Sequence, residues 1–138
     1  MDEAIIKHYR RLLKTGFENA GSLNNPSIFL ESTNDGRVCG HTGDYMHIFI
    51  NILDGKVDSI KYLCACDPTV NVAVEILCNL SKGKRLDELE GLTEEPLFEA
   101  AGTRSEDLQK RARGLLELVK QGLTQYRERT TGAISSRY

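Results

Sequence analysis

The chain has 138 residues, enough for one domain with its own core. With 40% apolar and 28% charged residues it has ordinary globular composition. A formal charge of −2 excludes a broad electrostatic pull toward nucleic acid or anionic membrane.

The acidic start, Met1-Asp2-Glu3-Ala4, does not read as a signal peptide. The longest apolar stretch, Ile48 to Leu53, is interrupted by Asn51 and is too short to span a bilayer. The expectation is a cytoplasmic chain whose thiols stay reduced. Its four cysteines are then ligands, reactive thiols or core residues before they are disulfides.

Ile5, Ile6, Tyr9, Leu12 and Leu13 recur at helical spacing and predict a first helix that ends at Gly16. Asn19 to Pro26 is a loop rich in turn formers. A strand follows from Ile28 to Thr33. Asn34-Asp35-Gly36 is a hairpin signal, with a return through Arg37 to Gly40. Tyr45 to Leu53 alternates strictly: Met46, Ile48, Ile50 and Ile52 share one face, and Tyr45, His47, Phe49 and Asn51 the other. Asp54-Gly55 is a two-residue hairpin turn, and Lys56 to Cys64 returns as its partner strand.

The period then becomes helical. Asp67 is a candidate N-cap with Pro68 at the first helical position, and Val70, Ala73, Val74 and Leu77 form a stripe. That helix ends near Lys82-Gly83. A helical turn is expected at Leu86 to Leu89. Residues 91 to 102 read as an irregular connection with a helical turn around Leu97 to Ala101. Thr103-Arg104-Ser105-Glu106 reads as a capping box before the clearest stripe in the chain, from Leu108 to Leu123. Gly114 within it is expected to permit close helix–sheet approach, since Gly costs about 1 kcal/mol against Ala in a helix. Residues 1–127 form one domain in this reading, and 128–138 a polar, frayed tail. The predicted class is α+β: a three-stranded antiparallel sheet with helices packed mainly on one face.

Three of the four cysteines, Cys39, Cys64 and Cys66, fall in the hairpin region that also carries Asp44. Soft thiolates beside a carboxylate suit iron, zinc or an iron–sulfur cluster. Cys64 and Cys66 flank the start of a helix, where backbone N–H groups favour a thiolate. In strand phase Ala65 points away and Cys66 returns to the side of Cys64, so the pair can share one metal or act as a redox dithiol. Cys39 is a candidate ligand or an apolar contact on a short strand, and Asp44 a ligand or a cap on the strand edge. Cys78 sits one position past a stripe residue and reads as core. His41 is a candidate nitrogen donor or simply exposed; His47 is structural or solvent-facing. No Ser-His-Asp order, phosphate-binding glycine loop or catalytic carboxylate pair is visible, so the chain reads as a binding protein and not an enzyme.

Several of these residues carry a resemblance. His8-Tyr9, Asn19-Ala20-Gly21-Ser22, Gly43-Asp44 opening a long strand, Tyr62-Leu63-Cys64 and Lys82-Gly83-Lys84 stand in order across residues 3 to 125. In that order and spacing the chain resembles the iron–sulfur cluster scaffold family of IscU and the N-terminal domain of NifU. The resemblance implies that Cys64 or Cys66, with Asp44, holds a [2Fe–2S] cluster or its preceding metal ion, and that a cysteine desulfurase delivers the sulfur. The tyrosine before Cys64 favours that residue as the family's middle cysteine; the distance to Gly83 favours Cys66. Thr42 stands where the family has its first cysteine, and Thr103-Arg104-Ser105 where it has its third. Arg104 is a candidate charge partner for Asp44 in place of that ligand. The alternatives are a scaffold fold kept as an interaction module without metal, and a thiol redox protein using Cys64 and Cys66.

Overall fold

The structure is a computed structural model that describes residues 2–33, 38–39 and 43–132. Helix α1 (Glu3–Thr15) precedes strands β1 (Ile28–Thr33), β2 (Tyr45–Leu53) and β3 (Lys56–Ala65). Helices α2 (Pro68–Ser81), α3 (Leu86–Glu90), α4 (Glu95–Ala101) and α5 (Glu106–Arg127) follow, and Glu128–Gly132 extends α5 as one π turn. The strands form an antiparallel sheet in the order β1-β2-β3, as the alternation predicts. The expected hairpin at Asn34-Asp35-Gly36 lies outside the described residues, as do His41 and Thr42.

The inward face of the sheet carries Ile28 and Leu30, then Met46, Ile48 and Ile50, then Ile60 and Tyr62, all buried. Ile52 falls only half-buried because the β2–β3 register shifts between Asn51 and Ile52. Asp54 and Gly55 both take positive φ, 54° and 74°, as a tight two-residue hairpin turn requires.

Helix α2 lies at the centre. It touches α1, α4, α5 and β3, so its burial extends well beyond the predicted stripe to Val72, Glu75, Ile76 and Cys78. Its start is as predicted: the Asp67 carboxylate accepts from the Val70 amide at 3.0 Å, with Pro68 in the first turn. Helix α5 packs on α2 and crosses β1, burying Leu115 and Val119. Gly114 is buried, and a close approach to the sheet occurs two turns later, at Gly122. A Cβ there would lie 2.1 Å from Leu30 Cδ2.

Two short segments blunt the outer edge of β3. Tyr62 exchanges backbone hydrogen bonds with the 19–21 loop, from Gly21 N at 2.8 Å and to Asn19 O at 3.0 Å. Val57 does the same with Gly83 and Lys84.

One expected cap differs. Ser105, not Thr103, is the N-cap of α5, and its hydroxyl accepts from the Leu108 amide at 3.3 Å. The Thr103 hydroxyl instead donates to the Asp2 carboxylate, which is also the N-cap of α1. The helical turn expected around Leu97 to Ala101 is α4, which starts two residues earlier, at Glu95. Pro96 sits in the first turn of α4, where a missing N–H costs nothing.

Candidate functional site

The candidate site lies where β2 begins, β3 ends and α2 starts. The register pairs Tyr45 with Ala65 and Met46 with Cys64. Asp44 immediately precedes β2 and Cys66 immediately follows β3, so the chain enters and leaves this hairpin end at those two residues. Asp44, Cys64 and Cys66 are all half-buried, whereas Ala65 is exposed. The strand phase therefore does turn both thiol-bearing residues to one side. They are joined as a disulfide, with Cα atoms 5.5 Å apart. A disulfide here departs from the expectation that all four cysteines stay reduced.

Cys39 is not beside this pair. It is buried, and its thiol donates weakly to the Ser32 carbonyl oxygen at 3.5 Å. Ser32 pairs with Met46, which pairs with Cys64. Cys39 is thus held at the Ser32 carbonyl of β1, and β2 lies between that strand and β3. Thiolates sharing one tetrahedral ion must lie within about 4 Å of each other. Among the described residues, no three His, Cys, Asp or Glu side chains converge to hold a metal.

Arg104 does not serve Asp44. It pairs with Glu95 at 2.6 Å and lies 5.6 Å from the Phe98 ring centroid. His47 is on the outer sheet face, where it contacts Glu31 at 3.0 Å among Phe29, Tyr45 and Phe49. Cys78 is core: burial first, and then the Glu75 charge, push its thiol far above the ordinary range. Such a thiol is neither a nucleophile nor a ligand at neutral pH.

Sequence reasoning missed a buried polar network between β3, α2 and the loop after α1. Glu75, in the middle of apolar α2, accepts from the Asn19 backbone amide at 3.2 Å and from the Asn19 side-chain amide. The Tyr62 hydroxyl lies 3.3 Å from the same carboxylate and donates to Asn71 at 2.8 Å. Burial, then the Glu75 charge, raise the Tyr62 phenol well above its ordinary value, so it stays protonated. Half-buried His8 is lowered by burial and by Arg11, while Glu75 acts in the opposite sense. The signal was a lone acid within a run of valines and leucines. It became meaningful only once Asn19 and Tyr62 were placed around it.

No protein-family profile matches the chain, and no curated protein matches its sequence. Solved structures do match its fold. A protein from thermophilic Fervidobacterium islandicum AW-1, described as an iron–sulfur cluster assembly scaffold for the SUF system, is 13% identical. It superposes with a TM-score of 0.62 over 89% of this chain and 96% of its own. The N-terminal part of a nitrogen-fixing NifU-like protein from Brucella abortus is 14% identical, with a TM-score of 0.60 over 92% and 94%. A hypothetical protein is likewise 14% identical, with a TM-score of 0.57 over 84% and 96%. The chain thus shares the α+β fold of the IscU- and NifU-like scaffold proteins, as the motif order suggested.

Proposed function

We propose that the chain is a scaffold-type protein of iron–sulfur cluster assembly. On this reading it holds metal cargo on the thiolates of Cys64 and Cys66 and the carboxylate of Asp44, once the disulfide is reduced. The observation that carries it is the β2–β3 register, which pairs Tyr45, the residue after Asp44, with Ala65, the residue between Cys64 and Cys66, just before α2 starts. The shared fold supports it. A dithiol reductant opens the disulfide to two thiols and leaves as its own disulfide. Metal binding then displaces the two thiol protons.

The donor set sets the kind of cargo. An all-thiolate [2Fe–2S] core takes four cysteines. This corner offers two thiolates and one carboxylate, while Cys39 and Cys78 are buried elsewhere. Three ligands with an open fourth position suit a single zinc or ferrous ion. A complete cluster would be held loosely. Its sulfur would come from a cysteine desulfurase, the partner that the resemblance to the scaffold family implies.

The test uses reduced, metal-free protein titrated anaerobically with cobalt(II), whose thiolate charge-transfer absorption reports Co–S bonds, and then with zinc and iron(II). One equivalent should bind. Binding should be lost in Cys64→Ser and Cys66→Ser and weakened about 10- to 100-fold in Asp44→Asn. Equal binding by the wild type and the double cysteine variant would sink the assignment.

The disulfide itself favours a second reading, a dithiol–disulfide couple that carries electrons and no metal. Reversible oxidation of reduced protein, with no cobalt(II) or zinc bound in the reduced state, would select it.

A further inference from the structure

The strongest unabsorbed feature is the outer face of α1. Lys7, Arg10, Arg11 and Lys14 stand at i, i+3, i+4 and i+7, so they form one stripe two turns long, about 10 Å. All four are exposed. Among the described residues none of the four is paired with a carboxylate, although other exposed arginines are: Arg85, Arg104 and Arg113 each have an acid. The stripe is local. The chain has 18 Lys and Arg and 20 Asp and Glu; α1 holds four of the former and one of the latter, so it is net +3 and the remainder net −5.

Apolar side chains flank the stripe. Ile6 is half-buried and Leu13 is 60% exposed, seven residues apart along one edge. Ile6 and the four cations, with Glu3, line an open groove. The opposite side of α1 is spent on the core through Ile5, Tyr9 and Leu12.

We infer that this face docks an acidic amphipathic α-helix of a partner protein, with carboxylates opposing Lys7, Arg10, Arg11 and Lys14 and an apolar edge covering Ile6 and Leu13. Charge complementarity selects an acidic partner, and the exposed leucine selects a protein. A nucleic acid backbone has no use for the exposed Leu13. A bilayer needs a whole apolar helix face to insert, and that face of α1 is already turned to the core. Helix-on-helix packing uses both features at their observed spacing. The inference is independent of the metal reading, because none of these residues lies at the β2–β3 corner.

The experiment uses the full chain and two synthetic helical peptides of one composition. In one, glutamates recur at i, i+3, i+4 and i+7 beside two leucines; in the other they are spread around the helix. Binding is read by fluorescence anisotropy at low and high salt, and the site by backbone amide shifts. The in-phase peptide should bind at least about tenfold tighter than its isomer. It should weaken with salt and shift amides of residues 6–14. Lys7→Glu with Arg10→Glu, Arg11→Glu and Lys14→Glu should abolish binding. A milder glutamine variant at the same four positions, checked by circular dichroism, should weaken it. Equal binding of both peptides, shifts elsewhere, or binding unaffected by charge reversal would overturn the inference. So would a preference for phosphatidylserine vesicles or single-stranded RNA over the in-phase peptide, or concentration-dependent dimerisation lost in the reversed variant.

Discussion

Asn19 and Glu75 are both buried, and they hold each other. The loop residue gives its backbone amide and its side-chain amide to the carboxylate in the middle of α2. Asn19 also accepts, through its carbonyl, from the backbone of Tyr62 on β3. One asparagine thereby fastens the loop after α1 to both the central helix and the sheet edge. Replacing Glu75 by Ala leaves the Asn19 backbone amide buried without an acceptor, while the side-chain amide keeps Asn79 Oδ1 at 2.9 Å, and should cost roughly 1–3 kcal/mol. Glu75→Gln keeps one acceptor and should cost less. Urea unfolding measures both, and a Glu75→Ala variant within about 0.5 kcal/mol of wild type would remove the network from the account of stability.

Gly122 is a second point where packing overrides propensity. Alanine gains about 1 kcal/mol in a helix over glycine. Here its methyl would meet Leu30 Cδ2 at 2.1 Å and Ile28 Cγ2 at 3.3 Å. Gly122→Ala should therefore destabilise by about 1–3 kcal/mol. Leu30→Ala should cost more in the wild type than in the Gly122→Ala background, because the second methyl fills space the first change opens. A double-mutant cycle in urea reads this coupling, and additive effects would contradict the contact.

Asp2 links the start of α1 to the approach of α5. The Thr103 hydroxyl, and after it the Ala4 amide, hold its carboxyl below the ordinary value. With the folded value depressed, its contribution is complete above the unfolded value of about 4 and lost as pH falls through the folded value. The melting temperature should drop between about pH 5 and pH 3, and Asp2→Asn or Thr103→Val should flatten part of that slope. A slope unchanged in both variants would place the acid sensitivity elsewhere.

Thiol reactivity distinguishes the four cysteines. Native protein as folded should show no fast-reacting thiol toward a disulfide reagent, since Cys64 and Cys66 are bonded and Cys39 and Cys78 are buried. After reduction by a phosphine, removed before assay, two thiols should react quickly. The other two should wait for denaturant, with Cys78 slowest because burial and Glu75 keep it protonated. Fast labelling of Cys39 in native protein, located by peptide mapping, would contradict its place behind β1.

Much of this molecule is legible locally. The period-two run of Met46, Ile48 and Ile50, the Asp54-Gly55 turn, the Asp67-Pro68 helix start and the Leu108 to Leu123 stripe depend on backbone geometry a few residues long. The sequence alone therefore determined element type and order, and with them the α+β class. It also showed that Cys64 and Cys66 share a side, because strand phase is a local property. Which distant residues meet was decided by tertiary structure. The β2–β3 register paired Tyr45 with Ala65 and Met46 with Cys64; the fold placed Cys39 at Ser32 of β1, with β2 between that strand and β3; α2's central position buried Glu75. Arg104 pairs with Glu95 from the preceding helix and not with Asp44, and Gly122 meets Leu30 and Ile28 of β1. Each of these outcomes follows from how apolar faces fit together over long sequence separations, a constraint that no local pattern of residues carries.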